Sequence, residues 1–227
     1  MDDRCLLFLV KDPEKGAVKT RLARDLGEEV ARDLYRNFIF DMLSTFQRNR
    51  FPLSICVYPE SALGDVEKLL GENHRYLPQS GKDLGGRMEY CFRQAFSHGF
   101  ERVVAAGSDI PDLPAEIIGE AFTSLEVVDC VVGPSLDGGY YLIGFHRTRF
   151  LREAFCGMQW GTDKVFRQTI EILKRHKRTT HLLPTWQDVD TIEDLKEFLE
   201  RNKDTSDCPR TITYLHNNEV LPTKHRT

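Results

Sequence analysis

The chain has 227 residues, a hydrophobic fraction of 41%, a charged fraction of 29% and a formal net charge of −4. These values allow a substantial core and exclude the overall basic field that is typical of nucleic-acid binding. No apolar run approaches the roughly 20 residues of a membrane span, and the N-terminus lacks a signal-peptide pattern. The six cysteines are scattered without CxxC spacing, as free thiols in a reducing compartment are. We therefore expect a cytoplasmic protein with no membrane span and no nucleic-acid partner.

Strand-like and helix-like segments alternate along the first half of the chain. Residues 4–10 are a short apolar run, typical of a buried strand. Apolar side chains recur every four residues over 28–47, which predicts an amphipathic helix lying against a sheet. The other segments of this half are predicted as strands at 53–58, 74–78 and 103–106, and as helices at 62–70, 84–97 and 117–125.

The second half continues this alternation and adds a hairpin-like return. Two strands, at 127–132 and 140–145, are predicted to face each other across a turn that contains Asp137, Gly138 and Gly139. This return places one antiparallel strand in a mostly parallel sheet. The sequence therefore predicts an α/β fold with helices on both faces of the sheet. The last predicted elements are helices near 149–155, 163–175 and 192–201 and a strand near 180–183.

The composition becomes more polar after Asn202. We expect residues 1–202 to form one domain and residues 203–227 to form a C-terminal appendage that is partly loose. Within this appendage, residues 211–215 could form an edge strand.

A basic segment lies between the first strand and the first long helix. Lys11, Lys19 and Arg21 place three cations within eleven residues, and Gly16 permits close approach of the backbone. Cations beside a helix start form an anion site suited to a di- or triphosphate. The segment is neither a Walker A loop nor a GxGxxG fingerprint. A solvated basic turn is the alternative interpretation.

A second segment with exposed backbone amides precedes the helix predicted at 84–97. Gly85 and Gly86 leave amides exposed at the helix start, and Arg87 adds a cation to the same edge of the sheet. Together with Gln79, these residues are candidates for binding the nucleotide base or a sugar. The alternative is a plain loop in which Asp83 caps the helix.

Acidic residues follow several predicted strands and could meet at one edge of the sheet. Carboxylate oxygens at such an edge can hold Mg²⁺ or Mn²⁺ between the protein and a phosphate. Any one of these aspartates could instead cap a helix or form a turn. Ser108, beside the first of them, is a candidate nucleotide contact. The acidic residues are Asp109, Asp112, Asp137, Asp188 and Asp190.

Glycines and aromatic residues near the predicted hairpin form a fourth candidate site. Gly138 and Gly139 permit close approach of a ligand, and Tyr140 and Tyr141 must point to opposite faces of their strand. We expect Tyr140 to face the acceptor or sugar. Trp160 could stack on the same ligand, or could belong to the core.

In their order along the chain, these motifs resemble a bacterial family of glycosyltransferases in the nucleotide-diphospho-sugar transferase superfamily. Some members of this family are associated with arsenosugar biosynthesis. The resemblance covers about residues 6–199. Where many glycosyltransferases have a DxD triplet, this chain has Ser-Asp-Ile-Pro. The matching segments are KDPEKGAVKTRL, QSGKDLGGRM, AGSDIPDLP, GPSLDGGYYLIGF and DVDTIEDL.

The resemblance implies a fold of the GT-A type, similar also to that of 2-phospholactate and molybdenum cofactor guanylyltransferases. It implies that Lys11, Lys19 and Arg21 contact the nucleotide phosphates and that Asp109 binds the divalent cation, Mg²⁺ or Mn²⁺. By the same resemblance, Asp137 and Asp190 are candidates for a second metal ligand or a catalytic base.

Three hypotheses about function follow. The first is a glycosyltransferase that moves a sugar from a nucleotide-diphosphate sugar to a small-molecule acceptor. The second is a nucleotidyltransferase that joins a nucleoside triphosphate to a phosphorylated acceptor and releases pyrophosphate. The loop after the first strand lacks the glycine-rich form common in nucleotidyltransferases, which favours the first hypothesis. The third is a nucleotide-binding regulator in which the carboxylates have only a structural role.

Overall fold

Seven strands form one sheet in the computed structural model, which describes residues 2–14, 18–204 and 208–221. Apolar residues dominate these strands, as expected for strands covered on both faces. The strands are β1 Arg4–Lys11, β2 Leu53–Tyr58, β3 Arg75–Pro78, β4 Arg102–Ala106, β5 Cys130–Pro134, β6 Tyr140–His146 and β7 Thr180–Leu182. The order across the sheet is β3-β2-β1-β4-β6-β5-β7.

The predicted antiparallel strand is confirmed as β6. This strand runs antiparallel to both of its neighbours, β4 and β5, whereas β1, β2, β3 and β4 are mutually parallel and β7 is parallel to β5. The carboxyl ends of the parallel strands and the start of β6 therefore lie along one edge of the sheet. In open α/β sheets, this is the edge at which ligands bind.

Helices cover both faces of the sheet, as predicted. The helices are α1 Thr20–Leu26, α2 Glu28–Arg48, α3 Leu63–Leu70, α4 Leu84–Ser97, α5 Ala115–Ser124, α6 Val165–Arg175, α7 Ile192–Arg201 and α8 Pro209–Asn217. One apolar cluster buries side chains of α2, α3, α5, α7 and α8 against one face, and a second buries side chains of α4 and α6 against the other. Within the described ranges, each helix is too short or too polar to cross a bilayer.

The edge strand predicted at 211–215 is wrong, because these residues belong to α8. Pro209 occupies the first turn of this helix, where its fixed φ angle favours helix initiation. The buried carboxylate of Asp41, on α2, accepts hydrogen bonds from the backbone N–H groups of Arg210 and Thr211. Packing of Leu215 in the core then outweighs the strand preference of the sequence. The division between residues 202 and 203 stays a prediction.

Smaller differences concern the ends of elements. The helix predicted at 149–155 is replaced by two short 3₁₀ turns, Arg147–Arg149 and Arg152–Phe155. The strand predicted from residue 127 starts only at Cys130, because Val127 lies on the surface and is 85% exposed. The short helix α1, which the apolar pattern did not indicate, precedes α2.

Candidate active site

A cavity of about 580 Å³ lies at the sheet edge where β1, β3 and β4 end and β6 begins. Its lining comes from segments far apart in sequence, because the strands deliver them to one edge. The sequence-predicted site residues that line it are Lys11, Lys19, Arg21, Gln79, Arg87, Ser108, Asp109, Asp137, Gly139, Tyr140, Trp160 and Asp190.

The other predicted glycines have different positions. Gly85, Gly86 and Gly138 do not line the cavity. A Cβ atom at Gly85 would collide with the Phe155 carbonyl and the Trp160 ring, so this glycine permits close packing beside the cavity wall. Gly138 has a φ of 87° and lies against the Asp163 backbone. Gly16 lies outside the described residues.

Lys19 forms the charged centre of the cavity. Its Nζ lies 2.5 Å from Oδ1 of Asp109 and 2.7 Å from Oδ1 of Asp190, and only 2% of its side chain is exposed. Burial by itself would lower the pKa of Lys19, but the charges of both aspartates outweigh this effect and raise the pKa. Burial likewise opposes ionisation of Asp190, whereas Lys19, Arg21 and Lys11 hold its pKa below the usual value. Lys19 and Asp190 are therefore both charged at neutral pH.

Neither Asp109 nor Asp190 caps a helix in the structure. The helix after Asp109, α5, begins at Ala115 and has Pro114 at its N-cap position. Thr191, rather than Asp190, caps α7 and forms a capping box with Asp194. The carboxylates of Asp109 and Asp190 form ion pairs with Lys19 instead. In the second segment, by contrast, Asp83 does cap α4.

Asp188 is a cavity residue with one buried carboxyl oxygen, Oδ1, that lacks a hydrogen-bond partner among the described residues. Burial, together with the charges of Asp109 and Asp137, raises the pKa of Asp188 to about 8. A carboxylic acid in this setting can hold or release a proton near neutral pH.

We expect Asp188→Asn to stabilise the protein increasingly as the pH rises, when EDTA is present. Folded Asp188 keeps its proton up to about pH 8, whereas the unfolded chain releases it near pH 4, so this group's contribution to stability falls between these values. The difference between the variant and the wild type should grow by on the order of a few kcal/mol across this window. Urea unfolding at several pH values measures it, and a difference that does not change with pH would contradict this assignment.

Tyr35, on α2, links two edges of the cavity. Its buried hydroxyl accepts a hydrogen bond from the Lys11 backbone N–H at 3.0 Å and shares another with the Ser108 hydroxyl at 2.7 Å. Tyr35 thereby holds the loop after β1 next to the segment that carries Asp109. The sequence analysis missed this residue because one tyrosine on an amphipathic helix looks like an ordinary core residue.

Asp112 does not join the other aspartates, although the sequence grouped it with them. Its carboxylate is 3% exposed and forms a bidentate ion pair with Arg201, at 2.6 and 3.1 Å. It also accepts hydrogen bonds from Trp186 Nε1 and Asn202 Nδ2. This network ties the segment that carries Asp109 to the end of α7 and to the segment before Asp188. Asp112 therefore positions the site without lining the cavity.

On the β3 side of the cavity, Gln79 and Arg87 present fixed polar groups. The amide nitrogen of Gln79 donates to the carbonyls of Val10 and Cys56, which fixes the orientation of the side chain. The guanidinium of Arg87 lies 4.2 Å from the centroid of the Tyr58 ring, and its buried Nε has no partner among the described residues.

On the β6 side, aromatic and acidic groups line the cavity. Tyr140 and Trp160 pack edge to face at 6.3 Å, and the buried Tyr140 hydroxyl and Trp160 Nε1 have no hydrogen-bond partner within the described ranges. The adjacent Tyr141 differs, because its hydroxyl donates to the Pro184 carbonyl. One oxygen of Asp137 accepts from the Gly139 N–H and stabilises the turn.

The two sides of the cavity therefore differ in charge. Lys11 is the last residue of β1, and Arg87 lies in the first turn of α4, which follows β3, whereas Asp137 lies in the turn before β6. Asp188 lies between these sides, next to Asp109. None of the described lining residues between positions 137 and 188 is a lysine, an arginine or a histidine. The anionic parts of a ligand are therefore favoured next to the lining cations and disfavoured beside Asp137.

The sheet order and the cavity at the strand ends define the class of protein as one with the nucleotide-diphospho-sugar transferase fold. The chain belongs to a family described as uncharacterized proteins conserved in bacteria (DUF2064), which matches residues 42–162. It is 41% identical to a protein from Desulfovibrio desulfuricans G20 whose assignment as a nucleotide-diphospho-sugar transferase is provisional. That crystal structure superposes with a TM-score of 0.92, over 97% of this chain and 96% of the other.

More distant structures share the fold alone. A cytidylyltransferase from Leptospira borgpetersenii is 14% identical, with a TM-score of 0.56 over the whole of both chains. A nucleotidyl transferase from Methanothermobacter thermautotroptrophicus is 13% identical, with a TM-score of 0.60 over 87% of this chain and 96% of the other. No protein of curated function matched this sequence.

Proposed function

We propose that this protein is a glycosyltransferase that moves a sugar from a nucleotide-diphosphate sugar to an acceptor hydroxyl. The observation that supports this function is the division of the cavity by charge. The cations on the β1 and β3 side suit the nucleotide diphosphate, and the Asp137 carboxylate and the aromatic rings on the β6 side suit a sugar and an uncharged acceptor.

In this proposal, the nucleotide binds on the β3 side. Gln79 and Arg87 contact the base or its ribose, since the orientation of Gln79 is fixed and Arg87 Nε lacks a protein partner. Lys11 and Arg21 neutralise the diphosphate and stabilise the negative charge that develops on it as the bond to the sugar breaks.

The residues at the centre of the cavity also fit a divalent cation. Asp109 and Asp190 already direct carboxylate oxygens at one cationic atom, Lys19 Nζ, although no group of three His, Cys, Asp or Glu side chains forms a metal-ligand set in residues 2–14, 18–204 and 208–221. Asp109 and Asp190 would hold Mg²⁺ or Mn²⁺. When bound, such an ion supplies charge stabilisation for the departing diphosphate.

The acceptor and the sugar would lie on the β6 side. The hydroxyl of Tyr140 and Nε1 of Trp160 are free to hydrogen-bond to hydroxyl groups, as is typical of sugar sites. Asp137 is the carboxylate there that can accept a proton from the acceptor hydroxyl. A phosphorylated acceptor in the same place would meet the Asp137 carboxylate and no lining cation.

A nucleotidyltransferase is the second candidate, and the shared fold supports it. The cytidylyltransferase and the nucleotidyl transferase have the same architecture, and Lys11, Lys19 and Arg21 supply enough positive charge for a triphosphate. The absence of a DxD triplet is compatible with this chemistry as well. The two candidates differ in the bond that breaks.

The products formed from the donor distinguish these candidates without knowledge of the acceptor. We expect slow, Mn²⁺-stimulated release of UDP or GDP from one nucleotide sugar, as water replaces the acceptor. We expect no pyrophosphate from any nucleoside triphosphate offered with phosphorylated small acids. Ion-exchange chromatography of the reaction mixtures measures both. Pyrophosphate release that requires a phosphorylated acceptor, with every nucleotide sugar intact, would establish the second candidate instead.

The proposed cellular location remains the cytoplasm. No disulfide occurs in the part of the chain that the structure describes, which is compatible with a reducing compartment.

A further inference from the structure

Lys19 has a combination of features that a simple phosphate-binding lysine does not need. Its ammonium group lies between Asp109 and Asp190, is almost fully buried and lies 5.4 Å from the centroid of the Phe38 ring. Its backbone is in the left-handed region, with a φ of 46°, which is uncommon for a residue other than glycine. Such a conformation persists only where the surroundings impose it, and here two ion pairs hold the side chain.

We propose that Lys19 occupies the place of the divalent cation between Asp109 and Asp190, and yields it only to a metal ion that arrives together with a nucleotide diphosphate. This inference rests on the proposed function, because it takes these two aspartates as the carboxylates that hold the metal. It adds a rule of binding order, in which Lys19 prevents the metal from binding alone.

The electrostatic argument begins with the charges of Lys19, Asp109 and Asp190. Two carboxylates and one ammonium group carry a net charge of −1, and the ammonium group already makes the short contacts that a metal ion would need. A divalent ion entering alone must either share this site with Lys19 or displace its ammonium group. Because the Lys19 side chain is buried while the Asp109 and Asp190 side chains are 46% and 40% exposed, both the repulsion and the loss of the two ion pairs are only partly screened.

A nucleotide diphosphate changes this balance by giving Lys19 another anionic partner. Lys11 and Arg21 lie on either side of Lys19 in the sequence and line the same cavity. A diphosphate bound by these two residues therefore lies within reach of the Lys19 ammonium group. The ammonium group can then move to the phosphate oxygens while the metal ion takes the carboxylates. Metal and nucleotide therefore bind with positive coupling, which must be reciprocal.

The decisive variant is Lys19→Met, which keeps most of the length of the side chain and removes its charge. Without the ammonium group, Asp109 and Asp190 face each other unneutralised, so we expect Mn²⁺ alone to bind about tenfold tighter than to the wild type. Binding of UDP or GDP should weaken in the same variant. Free Mn²⁺ is measured by electron paramagnetic resonance during titration of the full-length protein, first alone and then with saturating UDP or GDP.

Lys11→Met is the matched control, because it removes a positive charge from the same cavity without opening the carboxylate pair. It should weaken nucleotide binding and leave the affinity for Mn²⁺ alone within about twofold of the wild type. If Lys19→Met does not fold, as judged by circular dichroism, Lys19→Gln replaces it.

Two results would overturn the inference. One is an equal affinity of the wild type and the Lys19 variant for Mn²⁺ alone. The other, which needs no variant, is a wild-type protein that binds Mn²⁺ as tightly without a nucleotide as with one. The titration with Mn²⁺ alone contains no nucleotide. Its failure can therefore be told apart from failure of the donor experiment, which tests the proposed function.

Discussion

Asp109→Asn is expected to abolish the Mn²⁺-dependent part of nucleotide binding and to lower donor hydrolysis by on the order of 100-fold. The physical reason is that a charged oxygen ligand is replaced by a neutral one at the proposed metal site. The fold should persist, because 46% of the Asp109 side chain is exposed and Lys19 retains Asp190 as its ion-pair partner. Calorimetric titration of UDP or GDP, with and without Mn²⁺, measures the first effect.

Glu116→Gln is the matched control for this experiment. Glu116 lies exposed in the first turn of α5, outside the cavity, so the same change of charge there should leave Mn²⁺-dependent binding unaltered. If Asp109→Asn retained wild-type affinity in the presence of Mn²⁺, Asp109 would have to be removed from the proposed metal site.

Asp112→Ala is expected to lower the free energy of unfolding by about 3–5 kcal/mol, because it leaves a partly buried guanidinium without its carboxylate. The Asp112 side chain is 3% exposed, and Arg201 contacts it through both Nε and Nη2. Trp186 loses a hydrogen-bond acceptor in the same change. Urea unfolding at neutral pH measures the loss.

A double-mutant cycle separates the ion pair from the packing around it. Removal of both charges, by Asp112→Leu with Arg201→Met, should cost clearly less than the sum of the two single substitutions, because no unpaired charge remains. If the losses in the free energy of unfolding simply add, the two residues are not coupled, and Asp112 does not hold the segment that carries Asp109 in place through Arg201.

Much of the architecture could be predicted from local patterns. Runs such as 4–10 and 103–106 are apolar and too short for helices, and each ends in polar residues, so both the strands and the sheet edge could be located. The turn that contains Gly138 and Gly139 indicated the antiparallel strand. Most predicted site residues then line one cavity, because the strand ends bring them together.

The details that depend on contacts between distant residues could not be predicted. The ion pair of Lys19 and Asp190 joins positions 171 residues apart, and no local pattern distinguishes Lys19 from its neighbour Arg21 as the buried cation. Asp112 looked like a further acidic site residue because the pairing with Arg201 is visible only in three dimensions. The strand preference of 211–215 was misleading for the same reason, since packing against α2 stabilises the helix.

The central claim is that the bond between the sugar and the diphosphate breaks, and an isotope label tests it most directly. A nucleotide sugar that the protein hydrolyses is prepared with ¹⁸O in the oxygen that joins the anomeric carbon to the distal phosphate. If the enzyme transfers the sugar, this oxygen leaves with the nucleotide, and mass spectrometry should find the label in the released UDP or GDP. Label found instead in a sugar phosphate, with the nucleotide released as a monophosphate or transferred, would contradict glycosyl transfer.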